Sequence, residues 1–176
     1  MYIKRNIEEA IIQTSKEYPV VMVCGQRQVG KSTMLNHIKE NNRRYVSFDD
    51  RQAKRLAETD PTLFFETYGY PILIDEFQKV PTILETIKDI SDKLGYEGKD
   101  NNGLFWLTGS QKFEMMKGVS ESLAGRVAVF EMSSLSKNEL IGKDYGVFNP
   151  EISALKKREN IKSSVNSMLN IDVESV

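Results

Sequence analysis

The segment Gly25-Gln26-Arg27-Gln28-Val29-Gly30-Lys31-Ser32 follows the spacing G-x-x-x-x-G-K-[ST], and each fixed residue type answers a demand of phosphate chemistry. The oxygens of a triphosphate need several donors aimed at one point. A turn bounded by Gly25 and Gly30 can curl its backbone N–H groups inward, because glycine tolerates positive φ. A helix opening near Lys31 adds free N–H groups and the positive end of its dipole. Lys31 brings a full charge to the outer phosphates, and Ser32 offers a hydroxyl to Mg²⁺. Thr33, next along, reads first as a helix residue and second as a further ligand. The pattern predicts a site for ATP or ADP with Mg²⁺.

A second constellation lies at Ile72-Leu73-Ile74-Asp75-Glu76, an apolar strand that finishes in two acids. A buried strand seldom ends this way without a cation to neutralise. Asp75 can hold Mg²⁺ directly or through a water. Glu76 can reach the water that attacks the γ-phosphate and orient or deprotonate it. An acid strand one strand removed in sequence from the phosphate turn implies another strand inserted between them in space. The strand at Leu104-Phe105-Trp106-Leu107 fills that slot, and its end, Thr108-Gly109-Ser110, then lies beside the γ-phosphate. A hydroxyl there senses phosphate or holds the water; a plain strand-end turn, with Ser110 as a helix cap, is the bland alternative. Arg126 reads either as a guanidinium that stabilises transition-state charge, in cis or in a neighbouring subunit, or as a surface ion pair. Gln78 reads as a contact to the same water or to the neighbouring strand end.

These residues need elements to hold them. Ile3, Ile7 and Ile11 are spaced by four and predict a helix over residues 3–17, ended by Pro19. Val20–Cys24 is apolar throughout, as a strand buried on both faces requires. Helical spacing returns over 31–41, a second strand is expected at 45–48, and Asp49-Asp50 can cap the next helix. Asp60-Pro61 opens another helix, with proline at its first position. Pro81 precedes a helix carrying Ile83, Leu84, Ile87, Ile90 and Leu94, and Phe113, Met116, Val119 and Leu123 mark one more. A fifth strand follows at 127–132. Ser136 and Glu139 have the spacing of a capping box. Strand and helix alternate five times, the pattern of a parallel sheet covered by helices on both faces. Residues 1–142 are the expected core, and residues 143–176 a weakly helical or disordered tail.

With 176 residues and 40% hydrophobic content, the chain can bury a real core as one domain. A formal net charge of -1 gives no global sign of a nucleic-acid or membrane-surface partner. A nucleic-acid partner stays open but is not indicated. The single cysteine, Cys24, reads as a buried inert thiol, His37 as an ordinary helix residue, Met115 and Met116 as core, and the Lys and Arg residues between 143 and 162 as a solvated face. No apolar run spans a membrane, and cytoplasm is the default location. No Asn/Thr-Lys-x-Asp run is present to read guanine. An acceptor other than water is disfavoured by the glutamate directly after Asp75.

The motifs at 25–32, 74–78 (Ile-Asp-Glu-Phe-Gln), 107–110 (Leu-Thr-Gly-Ser), 121–126 (Glu-Ser-Leu-Ala-Gly-Arg) and 135–139 (Leu-Ser-x-x-Glu) together resemble the prokaryotic AAA-like P-loop ATPases, AAA domain group 14. A proline usually stands in that family where Gln26 is, and threonine often where Ser32 is; both changes preserve the chemistry. The resemblance covers about residues 3–142. It implies a three-layer α/β/α P-loop NTPase with a five-stranded parallel sheet in the order 5-1-4-3-2. It also implies phosphate and Mg²⁺ at Lys31 and Ser32, hydrolysis by Asp75 and Glu76, a sensor at Thr108–Ser110, and Arg126 as an arginine finger in a homo-oligomer. Family members continue for a few hundred residues more, so a chain ending at Val176 is expected to be truncated relative to them. Two functions follow: Mg²⁺-dependent ATP hydrolysis, or a nucleotide-gated binding module with little intrinsic turnover.

Overall fold

Strand β1 (Val20–Gly25) is buried along its whole length between two parallel neighbours. A computed structural model describes residues 2–110, 118, 119 and 121–142. The chain divides into a unit Met1–Asp144 and a unit Tyr145–Val176. The expected tail over 143–176 therefore lies outside the described residues. So does most of the helix expected around Phe113 and Met116; of it, Gly118, Val119, Glu121 and Ser122 are described and are helical.

The described elements are α1 (Glu8–Thr14), β1, α2 (Lys31–Ile38), β2 (Arg44–Ser47), α3 (Arg51–Thr59), α4 (Pro61–Tyr68), β3 (Ile72–Asp75), a 3-10 turn (Phe77–Lys79), α5 (Ile83–Tyr96), β4 (Phe105–Ser110), β5 (Val127–Glu131) and α6 (Lys137–Leu140). All ladders are parallel, in the order β2-β3-β4-β1-β5. Read from the opposite edge this is 5-1-4-3-2, the expected order, with β4 inserted between the turn-bearing strand and the acid strand.

Side-chain alternation divides the sheet into two apolar layers. Val20, Met22, Ile72, Ile74, Phe105 and Leu107 join the layer that includes residues of α3, α4 and α5. Val21, Val23, Leu73 and Trp106 face the other way, with Ile11 of α1 and Met34 and Leu35 of α2. Each such side chain, fully withdrawn from water, contributes roughly 1.5–3 kcal/mol. The same parity decides where the chemistry goes. Asp75 follows Leu73 by two residues and Thr108 follows Trp106 by two. Both therefore turn toward α2.

The expected caps are present: Asp50 accepts from the N–H of Gln52 and Ala53, and Asp60 from that of Leu63, with Pro61 next to it. Ser136 and Glu139 form the reciprocal capping box. Several boundaries shift by a few residues from the expectation, among them the second strand, which runs Arg44–Ser47 in place of 45–48, and three shifts have a visible cause. The first helix opens at Glu8, not residue 3, because the Glu8 carboxylate accepts from the Arg5 N–H and the Tyr2 hydroxyl and stops the helix from running back. Helix α2 ends at Ile38, where Lys39 turns extended at φ -64°, ψ 150°. Strand β4 runs on to Ser110 because Thr108, Gly109 and Ser110 stay paired with Val23, Cys24 and Gly25. No helix among the described residues is long and apolar enough to cross a membrane.

Candidate nucleotide site

The turn between β1 and α2 takes the backbone shape its glycines permit. Gly25 has φ 148° and Gly30 φ 94°. Gly25 is fixed by space as well: a Cβ there would lie 2.1 Å from the Met132 carbonyl oxygen, on the chain leaving β5. Gln28 also has positive φ, 62°, which its residue type did not signal. Gln26, Arg27 and Gln28 are exposed at the tip, and Val29 packs back against the α1–α2 layer.

Lys31 is buried, and its Nζ donates to the carbonyls of Gly25 at 3.1 Å and Gln26 at 2.6 Å. An ammonium has three donors. Two hold the turn closed around the charge, which leaves one for a ligand. Thr33 is exposed in the first turn of α2. His37 is exposed as well and stacks on Tyr2, with ring centroids 3.7 Å apart.

Asp75 is the centre of the second half of the site. It is buried, and three hydroxyls donate to it: Ser32 to Oδ1 at 2.6 Å, Thr108 to Oδ1, and Tyr45 to Oδ2 at 2.9 Å. Hydrogen bonds from hydroxyls to a carboxylate are charge-assisted and stronger than neutral ones. Burial, and after it the bond to Asp75 and its charge, pushes the Tyr45 hydroxyl up to about 12. Tyr45 had no signal in the sequence beyond its place on a strand. It sits on β2 opposite Leu73, two residues before Asp75 on the neighbouring strand and on the same face.

Glu76 leaves the strand in the left-handed region, φ 58° and ψ 39°. For a residue with a Cβ that conformation costs roughly 1–2 kcal/mol, and such strain gathers at working sites. Its N–H donates to Thr108 Oγ1 at 3.4 Å, and its carboxylate accepts from Gln78 Nε2. Gln78 Nε2 also lies 3.4 Å from Ser110 Oγ, and Ser110 is registered opposite Gly25. Gln78 Oε1 is buried without a hydrogen-bond partner among the described residues. Thus Lys31, Ser32, Asp75, Glu76, Thr108 and Ser110 meet at one end of the sheet.

Arg126 does not join them, and its assignment as a catalytic group in cis is corrected. It precedes β5 at the opposite end, where its carbonyl accepts from the Val20 N–H at 3.1 Å. Six residues of β1 separate that point from the end of Gly25, on the order of 20 Å at strand rise. Its guanidinium is occupied by Asp92 of α5, Nε to Oδ1 at 2.5 Å and Nη2 to Oδ2 at 3.0 Å. The surface ion pair is the reading that matches the geometry.

The donor set fits a hard divalent ion held jointly with a nucleotide. Among the described residues no three His, Cys, Asp or Glu side chains cluster as a metal cage. Mg²⁺ is commonly bound by one or two protein oxygens together with substrate phosphates and waters, and Ser32 with Asp75 would be suited to supply such a pair.

Two uncharacterised proteins, Mb2031c of Mycobacterium bovis and Rv2008c of Mycobacterium tuberculosis, are each 32% identical over 125 residues, covering 69% of this chain. The chain spans only 26% of the length of either. Among solved structures, AMPPCP-bound DnaA from Aquifex aeolicus aligns with TM-score 0.45 and 18% identity over 96% of this chain and 60% of its own. Saccharomyces cerevisiae RIF2 aligns at 0.39 and 12% over 93% and 70%. Residues 17–141 match the family model described as AAA domain, and with most of its length so matched, the chain belongs to the AAA domain family as a P-loop nucleotide-binding domain.

Proposed function

We propose that the chain binds Mg²⁺-ATP in the 25–32 turn and hydrolyses it to ADP and phosphate. The observation that carries this reading is the 2.6 Å contact between Ser32 and Asp75, which joins the phosphate turn to the acid strand at one point. In this reading the turn's N–H groups and the third donor of Lys31 grip the outer phosphates. Ser32 and Asp75 would hold Mg²⁺, which would supply charge neutralisation at the phosphate oxygens. Thr108 and Tyr45 keep Asp75 aimed. Glu76 takes a proton from water as the water oxygen bonds to the γ-phosphorus. The bond to the β–γ bridging oxygen breaks, and the proton passes on to solvent. Thr108 and Ser110 stand at the end of β4 as sensors of the γ-phosphate. Such a domain suits the cytoplasm, where ATP and Mg²⁺ are at hand.

A second reading rests on Gln78. Its bond to the Glu76 carboxylate occupies the base, which favours a module that binds ATP and changes shape with little turnover until a partner frees Glu76. Phosphate release by the purified chain, with and without DNA and across protein concentration, separates the two. Steady release that falls about 100-fold or more in Glu76→Gln, with ATP affinity kept, supports hydrolysis, since general bases contribute about 10²–10⁴. Equal release by wild type and Glu76→Gln overturns the base assignment, and tight ATP binding with no release favours the module. Between subunits Arg126 would have to leave Asp92 and serve the nucleotide of a second copy; a rate per chain independent of concentration removes that role.

A further inference from the structure

The side chain that grips the outside of the phosphate turn comes from the N-terminal segment. Arg5 is buried, and its guanidinium meets three separate parts of the chain. Nη1 donates to the Val29 carbonyl at 2.9 Å, Nη2 to the Ser133 carbonyl at 2.7 Å, and Nε to Glu139 Oε1 at 3.0 Å. Its backbone is pinned too, since the Arg5 N–H donates to Glu8, which also accepts from the Tyr2 hydroxyl at 2.7 Å.

The bond to Val29 has a geometric result. In a trans peptide the carbonyl and the following N–H point in opposite directions and rotate as one plane. The Val29–Gly30 plane flanks a glycine at φ 94°, a residue with little torsional preference of its own. Fixing the Val29 oxygen against Arg5 therefore fixes the Gly30 N–H away from Arg5. A Cβ on Gly30 would meet Arg5 Nη1 only at 4.0 Å, an ordinary contact, so glycine is favoured here by its φ and not by space.

We propose that Arg5 is a positioning residue for the phosphate turn, holding the Val29 carbonyl outward so that the Gly30 N–H faces the phosphates, and that Glu139 holds Arg5 in place. This rests on the turn being a phosphate site. Arginine is required over lysine because a planar fork meets fixed acceptors in different directions, whereas an ammonium is a point charge. Glu139 is itself immobilised, accepting from the Asn6 N–H at 3.0 Å and the Ser136 N–H at 2.7 Å. Burial would raise its carboxyl, but these N–H groups and Arg5 outweigh that and hold it at about 2. It stays charged wherever the protein is folded near neutrality. The cap of α6 and the phosphate turn thus share one guanidinium.

The test uses the full chain with Arg5→Lys and Glu139→Gln, read by calorimetric titration with ADP and by the amide proton of Gly30 in ¹H–¹⁵N spectra. In the wild type the Gly30 proton moves downfield as ADP binds. Arg5→Lys should melt cooperatively yet bind ADP about tenfold more weakly, as loss of one charge-assisted donor predicts, and the Gly30 displacement should collapse. Glu139→Gln should move both readouts the same way by a smaller factor, and it decides the matter should Arg5→Lys not fold. Folded variants with wild-type ADP affinity and an unchanged Gly30 displacement overturn the proposal. A wild-type chain that binds no ADP refutes the phosphate reading instead.

Discussion

At the amino-terminal edge of the sheet Arg43 is only 3% exposed, yet each of its three guanidinium nitrogens has a partner. Its Nε and Nη2 donate to Glu40 at 2.7 and 3.3 Å, and its guanidinium lies 4.1 Å from the centre of the Trp106 ring. Trp106 in turn donates to Ser15 Oγ at 2.8 Å. A cleft of about 320 Å³ opens beside these residues. At the carboxyl edge Lys31 is 6% exposed and so is Asp75, but there the balance is unfinished. Lys31 keeps a spare donor, Glu76 holds a strained backbone, and Gln78 Oε1 accepts from nothing described. Buried charge occurs at both ends, and this cleft lies at the amino-terminal one, so neither marks the site. What marks it is hydrogen-bonding capacity left over after folding, at a place where the backbone is strained. A protein interior normally satisfies its buried polar groups, so a cluster of exceptions points to a ligand.

Three substitutions break or sharpen this contrast. The largest effect is expected for Lys31→Ala: nucleotide affinity should fall by about 100-fold or more, because the charge on the outer phosphates goes together with the bonds that close the turn. Calorimetric titration with ATP reads it, and affinity within threefold of wild type would mean the turn does not bind phosphate. Arg43→Ala should do the reverse. Losing its packing over Trp106 and its bonds to Glu40 should cost about 2 kcal/mol. That lowers the melting temperature by roughly 4–8 °C at this chain length, with ATP affinity unchanged. Impaired ATP binding in the folded variant would erase the distinction between the two ends. The smallest change, Tyr45→Phe, removes one of three donors to Asp75 and should weaken Mg²⁺-ATP binding about fivefold, near 1 kcal/mol. Its melting temperature should hardly move. Unaltered Mg²⁺-ATP affinity would reduce Tyr45 to a bystander.

The turn, the acid strand and the insertion of β4 were legible because their information is local. A glycine spacing, an apolar run ending in Asp75-Glu76 and a second apolar run at 104–107 each declare themselves within a few residues. Arg5 was not legible. Its neighbours Ile3, Ile7 and Ile11 carry a helical period, whereas its partner Glu139 stands 134 residues away. Tyr45 was missed for the same reason, since only the β2–β3 register brings it to Asp75. The left-handed backbones of Gln28 and Glu76 have no glycine to announce them. In the sequence Arg126 stays open to two readings, a catalytic guanidinium and a surface ion pair, because its place just before the fifth strand decides between them only once that strand's direction is known. Parallel pairing with β1 supplies the answer.

The 2.1 Å approach of Met132 oxygen to the absent Cβ of Gly25 gives the molecule a mechanical property. The base of the turn and the chain leaving the edge strand have no slack between them. A shift at one is transmitted to the other as a push, much as two gear teeth in mesh cannot turn separately. Met132, at the exit of the edge strand, is thereby tied directly to the start of the turn.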